Sequence, residues 1–167
     1  MPGEARSRSI VVWGALALAC FAGQAAADPD LAPGSDLEQF TRGFEELGGQ
    51  LPPPNVFGAN QVTFTQNGND NQAVVKQVGG FNDVKASQTG NGNAAALVQF
   101  GVYNSINLTQ VGNANEALIG QAGANNTATV TQNGMGNLAF ILQLGNGLNV
   151  SVTQNGVNQL ARVIQRN

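Results

Sequence analysis

The chain has 167 residues, of which only 10% are charged, and it contains 22 Gly, 6 Pro, one Cys and no His. An ordinary soluble domain has about 25% charged residues. Mechanisms that need an imidazole base, a His metal ligand or an internal disulfide are excluded, and a net charge of −3 provides no basic surface for nucleic acid.

Residues 1–27 have the pattern of a secretory signal peptide. Arg6 and Arg8 precede an apolar run over 10–21, and positions 25–27 are three small alanines suited to cleavage. A membrane span needs about 20 apolar residues, so an uncleaved anchor is the weaker alternative, as is lipid attachment at the single Cys. We expect export, with cleavage after residue 27.

Residues 28–59 form an acidic leader with six acids and one Arg. Ser35 and Glu38 make a capping box, which predicts that a helix over 36–47 begins there. Its apolar face would consist of Leu37, Phe40, Phe44 and Leu47. The Pro-rich stretch 52–54 predicts a stiff spacer. The helix either forms only transiently, or covers an end of the following domain or contacts a partner.

Residues 60–167 repeat every eleven residues without a slip. The recurring Gln residues are Gln66, Gln77, Gln88, Gln99, Gln110, Gln121, Gln132, Gln143, Gln154 and Gln165. Two positions after each of the first nine comes a Gly: Gly68, Gly79, Gly90, Gly101, Gly112, Gly123, Gly134, Gly145 and Gly156. The recurring Asn residues are Asn60, Asn71, Asn82, Asn93, Asn104, Asn115, Asn126 and Asn137. Leu148 and Gln159 occupy the last two Asn positions.

Two kinds of eleven-residue unit alternate, so the full repeat has 22 residues. One kind has the pattern Asn-x-Ala-x-x-x-Gln, and the other is richer in Thr and Ser. Five repeats result: 60–81, 82–103, 104–125, 126–147 and 148–167.

An eleven-residue period also fits a right-handed helical supercoil, but a Gly in every unit opposes a long helix at about 1 kcal/mol each. Within each unit, one face holds Asn, the residues two and four positions later, and Gln. The residues between them point to the other face, and this alternation predicts a strand. The Gly supplies the positive φ of a tight reversal. We therefore predict an all-β fold, a two-sheet parallel β-solenoid of cross-β type.

Stacked repeats place identical residues above one another, about 4.8 Å apart. The predicted inner columns hold apolar residues flanked by Gln and Asn ladders, in which each buried amide pairs with the next rung. One such apolar column is Val62, Val84, Ile106, Ala128 and Val150. The last strands have unpaired edges that another copy can extend, which predicts self-assembly into an amyloid-type fibre.

Charges and apolar residues on the outward positions differ between repeats. The charges Asp70, Lys76, Asp83, Lys85 and Glu116 are expected in turns or on outward positions, where they discourage off-register pairing. Repeat 126–147 has no charge and directs Leu138, Phe140 and Leu142 outward. This outward apolar patch is either an aggregation-prone or lateral contact, or a set of scattered surface hydrophobes.

The pattern Ser/Asn-x5-Gln-x-Gly-x-x-Asn-x-Ala-x3-Gln after a secretion signal resembles the curlin family, the subunits of bacterial curli, over residues 60–167. The resemblance implies export to the periplasm, passage through an outer-membrane pore with accessory factors, and polymerisation at the cell surface into adhesive biofilm fibres. Its implied partners are further copies and the other curli subunit. The segment 116–132, with Arg162 and Arg166, resembles the minor, nucleating subunit more than the major one.

Other functions fit the residues less well. Thr-x-Thr motifs hint at an ice-binding solenoid, but Asp83 and Lys85 interrupt that array. Calcium-binding β-rolls need Asp at regular turn positions, and the acids Asp70, Asp83 and Glu116 occupy different slots, so no catalytic pair is expected. We expect no enzymatic activity, no cofactor or metal, and no nucleic-acid or small-molecule partner.

Overall fold

The computed structural model describes residues 58–167, the backbone of Ser9–Gly14, and Gln39, Arg42 and Gly43. Ten strands follow one another along residues 58–167, because apolar and polar side chains alternate in each eleven-residue unit. They are β2 (Gln61–Asn67), β3 (Gln72–Gly80), β4 (Asp83–Asn91), β5 (Ala94–Val102), β6 (Ser105–Asn113), β7 (Glu116–Ala124), β8 (Thr127–Met135), β9 (Leu138–Asn146), β10 (Asn149–Val157) and β11 (Leu160–Arg166). Ser9–Gly14 forms a further strand, β1.

Consecutive strands lie in opposite sheets. Sheet A contains β1, β3, β5, β7, β9 and β11 in spatial order, and sheet B contains β2, β4, β6, β8 and β10. All neighbouring strands are parallel, and in β2–β11 each residue pairs with the one 22 positions away, as Val84 pairs with Ile106. The predicted two-sheet parallel β-solenoid of five repeats is confirmed.

The core lies between the two sheets and consists of small and branched apolar side chains. Its buried members are Ala73, Val75, Val84, Ala86, Ala95, Leu97, Ile106, Leu108, Ala117, Ile119, Ala128, Val130, Ala139 and Ile141. Val62 and Val150 of the predicted apolar column are only half-buried, because β2 and β10 are the outermost strands of sheet B and have one neighbour each. Burial is therefore most complete in the middle rungs.

Every turn contains two residues with positive φ. The first is the predicted Gly, with φ between 105° at Gly79 and 145° at Gly156. The second, two residues later, was not predicted, and it adopts φ of 52–67° whatever its side chain, including Phe81 and Tyr103. Asn, Asp and Gly fill most of these second positions, and because these residue types favour the left-handed region, they were the available sequence signal.

We expect Ala114→Gly to stabilise the solenoid by about 0.5–1 kcal/mol. Ala114 is exposed and has φ of 52°, a conformation that costs an L-residue about 1–2 kcal/mol and glycine little, offset in part by the greater unfolded-state entropy of glycine. The measurement is the urea midpoint of the soluble chain before assembly begins. The control is Thr109→Gly, on an exposed position of the extended strand β6, which should lower the urea midpoint. A lower midpoint for both variants would contradict the conclusion that the left-handed conformation of Ala114 is strained.

The N-terminal predictions fall mainly on residues that the structure does not describe. Within the predicted signal peptide, β1 pairs in parallel with β3, from Ser9 against Gln72 to Gly14 against Gln77. Gln39, Arg42 and Gly43 are helical, while the rest of the predicted helix over 36–47 and the 52–54 spacer lie outside the described residues. Within the part of the chain that the structure describes, no helix has the length and apolar character of a membrane span. The signal peptide and the leader boundaries stay predictions.

Candidate functional site

The Gln side chains form two continuous hydrogen-bonded columns inside the solenoid. From Gln66 to Gln143, each Nε2 donates to the Oε1 of the Gln 22 residues later, at 2.6–2.9 Å, and in the six middle strands these side chains are 0% exposed. The same Nε2 also donates to a main-chain carbonyl of the opposite sheet, as Gln110 does to Ala94 O at 3.1 Å. A buried primary amide is thus satisfied by the next rung and by the facing sheet.

The Asn side chains form two further columns whose hydrogen bonds run in the reverse direction. The main-chain N and the Nδ2 of Asn93 both donate to Asn71 Oδ1, at 2.9 and 3.0 Å. Asn93 Nδ2 also donates to Gly112 O at 2.9 Å. Each Asn is therefore hydrogen-bonded to the Asn of the previous rung at the start of its strand, and its amide donates to the turn glycine of a later strand. The Asn-to-Asn bonds all run in one direction, so the ladder has a polarity along its axis.

The turn glycines bring successive rungs into main-chain contact. A Cβ placed at Gly90 would overlap the carbonyl oxygen of Gly112, and a Cβ at Gly112 would overlap that of Gly134. No side chain fits there, so these positions require glycine for space as well as for φ.

Comparison with known proteins identifies the repeat. A family profile described as "Curlin associated repeat" matches residues 82–112, 104–134 and 123–156, which lie within the ladders just described. The chain belongs to the curlin family. Curlins are secreted subunits of extracellular amyloid fibres. No curated protein and no solved structure matches this chain.

The two ends of this curlin's ladder differ chemically. At the β2 end, Gln66 Oε1 is buried, and no described residue donates to it. At the β10 end, Gln154 Nε2 donates to Leu138 O and to Gln159 O, at 3.1 and 2.9 Å. The Gln ladder thus ends on an unused acceptor at one edge and on amide donors at the other.

The Asn columns stop one rung short of the Gln columns. Leu148 N donates to Asn126 Oδ1 at 2.9 Å, and Gln159 N donates to Asn137 Oδ1 at 3.0 Å. Leu148 offers no side-chain acceptor in return, and Gln159 is one methylene longer than the Asn it replaces. The last rung of this curlin therefore lacks the Asn acceptors that every earlier rung presents to its successor.

The charges of the repeats lie outside the core. Asp70 and Lys85 are exposed, whereas Lys76, Asp83 and Glu116 are half-buried. Lys85 Nζ lies 3.1 Å from Asp83 Oδ2. No group of three metal-ligating side chains occurs among the described residues. A role for the charges in keeping the register stays a prediction.

Leu138, Phe140 and Leu142 lie on outward positions of sheet A, as the alternation requires, and their role, as a lateral contact or as scattered surface hydrophobes, stays a prediction. Leu142 is only 9% exposed and forms a second buried cluster with Val98 and Ala122, against which Phe140 packs. Sequence analysis of one repeat missed this cluster because its members come from three different rungs.

Proposed function

We propose that this curlin is the minor, nucleating subunit of curli, exported through the periplasm and an outer-membrane pore to the cell surface, where it starts adhesive biofilm fibres of the other subunit. The proposal rests on one observation, the loss of both Asn acceptors at Leu148 and Gln159 while the Gln columns continue. The alternative is the major, fibre-forming subunit.

A junction between two copies of this chain would place β2 and β3 of one copy on β10 and β11 of another. The Gln columns would continue across it, because Gln154 and Gln165 would meet the acceptors of Gln66 and Gln77. The main-chain and side-chain N–H groups of Asn60 and Asn71 would meet Leu148 and Gln159 instead of Asn oxygens. Each buried donor without a partner costs about 1–3 kcal/mol, so copies of this chain extend one another poorly.

A subunit that has Asn in both slots of its last rung would make the complete junction. Such a subunit would bind the β2–β3 edge of this chain more tightly than another copy does. That edge becomes available in sheet A when β1, which pairs with β3, is removed with the predicted signal peptide. This preference for a different subunit is what a nucleator requires.

The decisive experiment mixes this chain, processed after export, at substoichiometric concentration with a monomeric major curli subunit. We expect the lag in thioflavin fluorescence of the major subunit to disappear, while this chain alone elongates slowly. Leu148→Asn together with Gln159→Asn should raise its own elongation rate at least tenfold, because the missing acceptors are restored.

The control is Leu160→Asn, which adds an amide at a 71% exposed position of the same rung and should leave elongation unchanged. Rapid growth of long fibres by the unaltered chain, with no effect on the lag of the major subunit, would favour the alternative.

A further inference from the structure

One edge of sheet A is covered by a strand from the N-terminal end of the same chain. Strand β1, Ser9–Gly14, pairs in parallel with Gln72–Gln77 of β3, and β3 lies between β1 and β5. At the same end of the solenoid, β2 is the outermost strand of sheet B, and β4 is its one neighbour among the described strands. The two edges at this end therefore differ, because β1 covers the edge of sheet A and no described strand covers the edge of sheet B.

β1 lies in the place that a strand of another copy would take in the proposed junction. The first residues of the other sheet A strands form one column at intervals of 22 residues: Gln72, Ala94, Glu116, Leu138 and Leu160. Continued from one copy to the next, this column places Leu160–Arg166 of the other copy on Gln72–Val78. Ser9–Gly14 pairs with β3 in the same direction and the same register, so β1 and an incoming β11 cannot occupy this edge together.

The direction of the main-chain groups shows what β1 covers on β3. Gln72 N donates to Asn93 O, next to the start of β5, at 2.8 Å. Successive residues of a strand direct their N–H and C=O groups to opposite neighbours. The N–H groups of Ala73, Val75 and Gln77 therefore point away from β5 and toward β1. Without β1, these three groups are the unpaired donors of an edge strand, which another chain can use.

β1 ends the Gln column of sheet A and does not extend it. Gly14 pairs with Gln77, and glycine has no side-chain amide. A further copy that paired with the outer edge of β1 would therefore place its Gln165 beside a residue without a side-chain acceptor. A chain that keeps β1 thus lacks, in sheet A, the ladder position on which the proposed junction depends.

The acidic leader cannot replace β1 on this edge. Counted back by the interval of 22 residues, the counterparts of residues 74–76 on β3 are residues 52–54, which are three prolines. Proline has no N–H to donate to a ladder and is confined to the edges, ends and bulges of sheets. Three prolines in succession exclude a strand in that register, so removal of β1 leaves the edge to another chain.

We propose that β1 is an autoinhibitory strand, which keeps the unprocessed chain from assembling through β3 until β1 is removed with the predicted signal peptide. The proposal rests on the proposed function, in which this edge receives another subunit. While β1 is in place, an incoming subunit can pair with β2 only, which is half of the junction. A segment of the same chain has an effective concentration on the order of a millimolar, so β1 outcompetes subunits at about 1 μM by about a thousandfold for equal contacts.

Val11→Pro in the full chain tests whether β1 covers the edge. Val11 pairs with Val74, and the alternation that begins at Gln72 directs the N–H of Val74 toward the next strand. Val11 donates toward β3 in the same way, and proline removes that donor from the middle of a short strand. Hydrogen exchange of the soluble chain should then become at least about tenfold faster at the amides of Ala73 and Val75.

Two controls accompany this variant. Ala17→Pro also places a proline in the predicted signal peptide, but outside β1, and should leave exchange at β3 unchanged. Gln61 N donates to Asn82 O, toward β4, so the amides of Val62 and Phe64 point to the edge that no described strand covers. Exchange at these two amides should be fast in every chain. Equal exchange at β3 in the unaltered chain and both variants would overturn the autoinhibition, whatever this chain does in fibre assembly.

The consequence for assembly is measured separately, as the lag in thioflavin fluorescence of the major curli subunit. Reaching the same lag should require at least about ten times more of the full chain than of the Val11→Pro chain, and the Ala17→Pro chain should act like the full chain. Equal potency of the full chain and Val11→Pro, with slow exchange at β3 in the former, would overturn the block. If the processed chain itself leaves the lag unchanged, the nucleation proposal fails. Fibre growth by the full chain alone that is slow, and that Val11→Pro restores to the rate of the processed chain, would then still support the autoinhibition.

Discussion

Gly112→Ala should prevent the solenoid from forming and abolish fibre growth. Gly112 has φ of 117°, and its added Cβ would overlap the carbonyl oxygen of Gly134 in the next rung. The backbone must move apart at that turn, which breaks the ladder bonds on both sides, and Asn93 would lose its contact with Gly112 O. Backbone strain of this kind costs about 1–3 kcal/mol before those bonds are counted, so we expect a total loss above about 3 kcal/mol.

Gly147→Ala is the control for this prediction. Gly147 also has a positive φ, of 67°, but a Cβ there would meet nothing within 4 Å. Its cost is limited to the left-handed conformation, about 1–2 kcal/mol. Urea unfolding followed by circular dichroism, together with thioflavin kinetics, measures both variants. Equal effects at Gly112 and Gly147 would mean that the close approach of the rungs is unimportant.

Gln121→Ala should destabilise the soluble solenoid by about 3–5 kcal/mol and slow both nucleation and elongation. Gln121 accepts from Gln99 Nε2 at 2.9 Å and donates to Gln143 Oε1 at 2.8 Å and to Ser105 O at 3.1 Å. Truncation leaves these buried groups without a hydrogen-bond partner, and each one destabilises the fold by about 1–3 kcal/mol where water cannot replace the lost side chain. It also creates a cavity, because Gln121 is 0% exposed.

Thr131→Ala is the comparison for the Gln variant, since Thr131 points outward from sheet B and is half-buried. We expect its effect to stay within about 0.5 kcal/mol, as for most surface substitutions. The free energy of unfolding and the lag time report on the two variants separately. A Gln121→Ala chain that folds and assembles like Thr131→Ala would show that the amide column is dispensable.

Much of the candidate site could be read from the periodic positions alone. Alternation within each eleven-residue unit places Asn93, Ala95, Leu97 and Gln99 on one face, and a constant interval of 22 residues leaves a single register in which all ten Gln residues align. The interruption of the Asn series at Leu148 and Gln159 was equally visible. The consequence of this interruption was not visible in the sequence. Only the hydrogen bonds show that Leu148 N still donates to Asn126 Oδ1 while the Leu148 side chain offers no acceptor to a following rung.

Other features depend on residues that are distant in sequence. Val98 and Leu142 occupy outward positions, so alternation predicts exposure, yet Val98 is 0% exposed because side chains of neighbouring rungs cover it. The second left-handed residue of each turn was missed although Asn, Asp or Gly fills most of these positions, because Phe81, Tyr103 and Ala114 interrupt that series. The rings of Phe81 and Tyr103 stack at 4.9 Å between centroids.

The amino-acid sequence by itself determined the strand period, the register and the identity of every column, because these follow from a two-residue alternation and a constant repeat. Only the tertiary structure decided the direction of each amide column, the unused acceptor at Gln66 and the burial of Val98 and Ala122 on the outer side of sheet A. Hydrogen-bond direction and burial are properties of neighbours in space, and in this fold those neighbours are 16 to 22 residues apart along the chain.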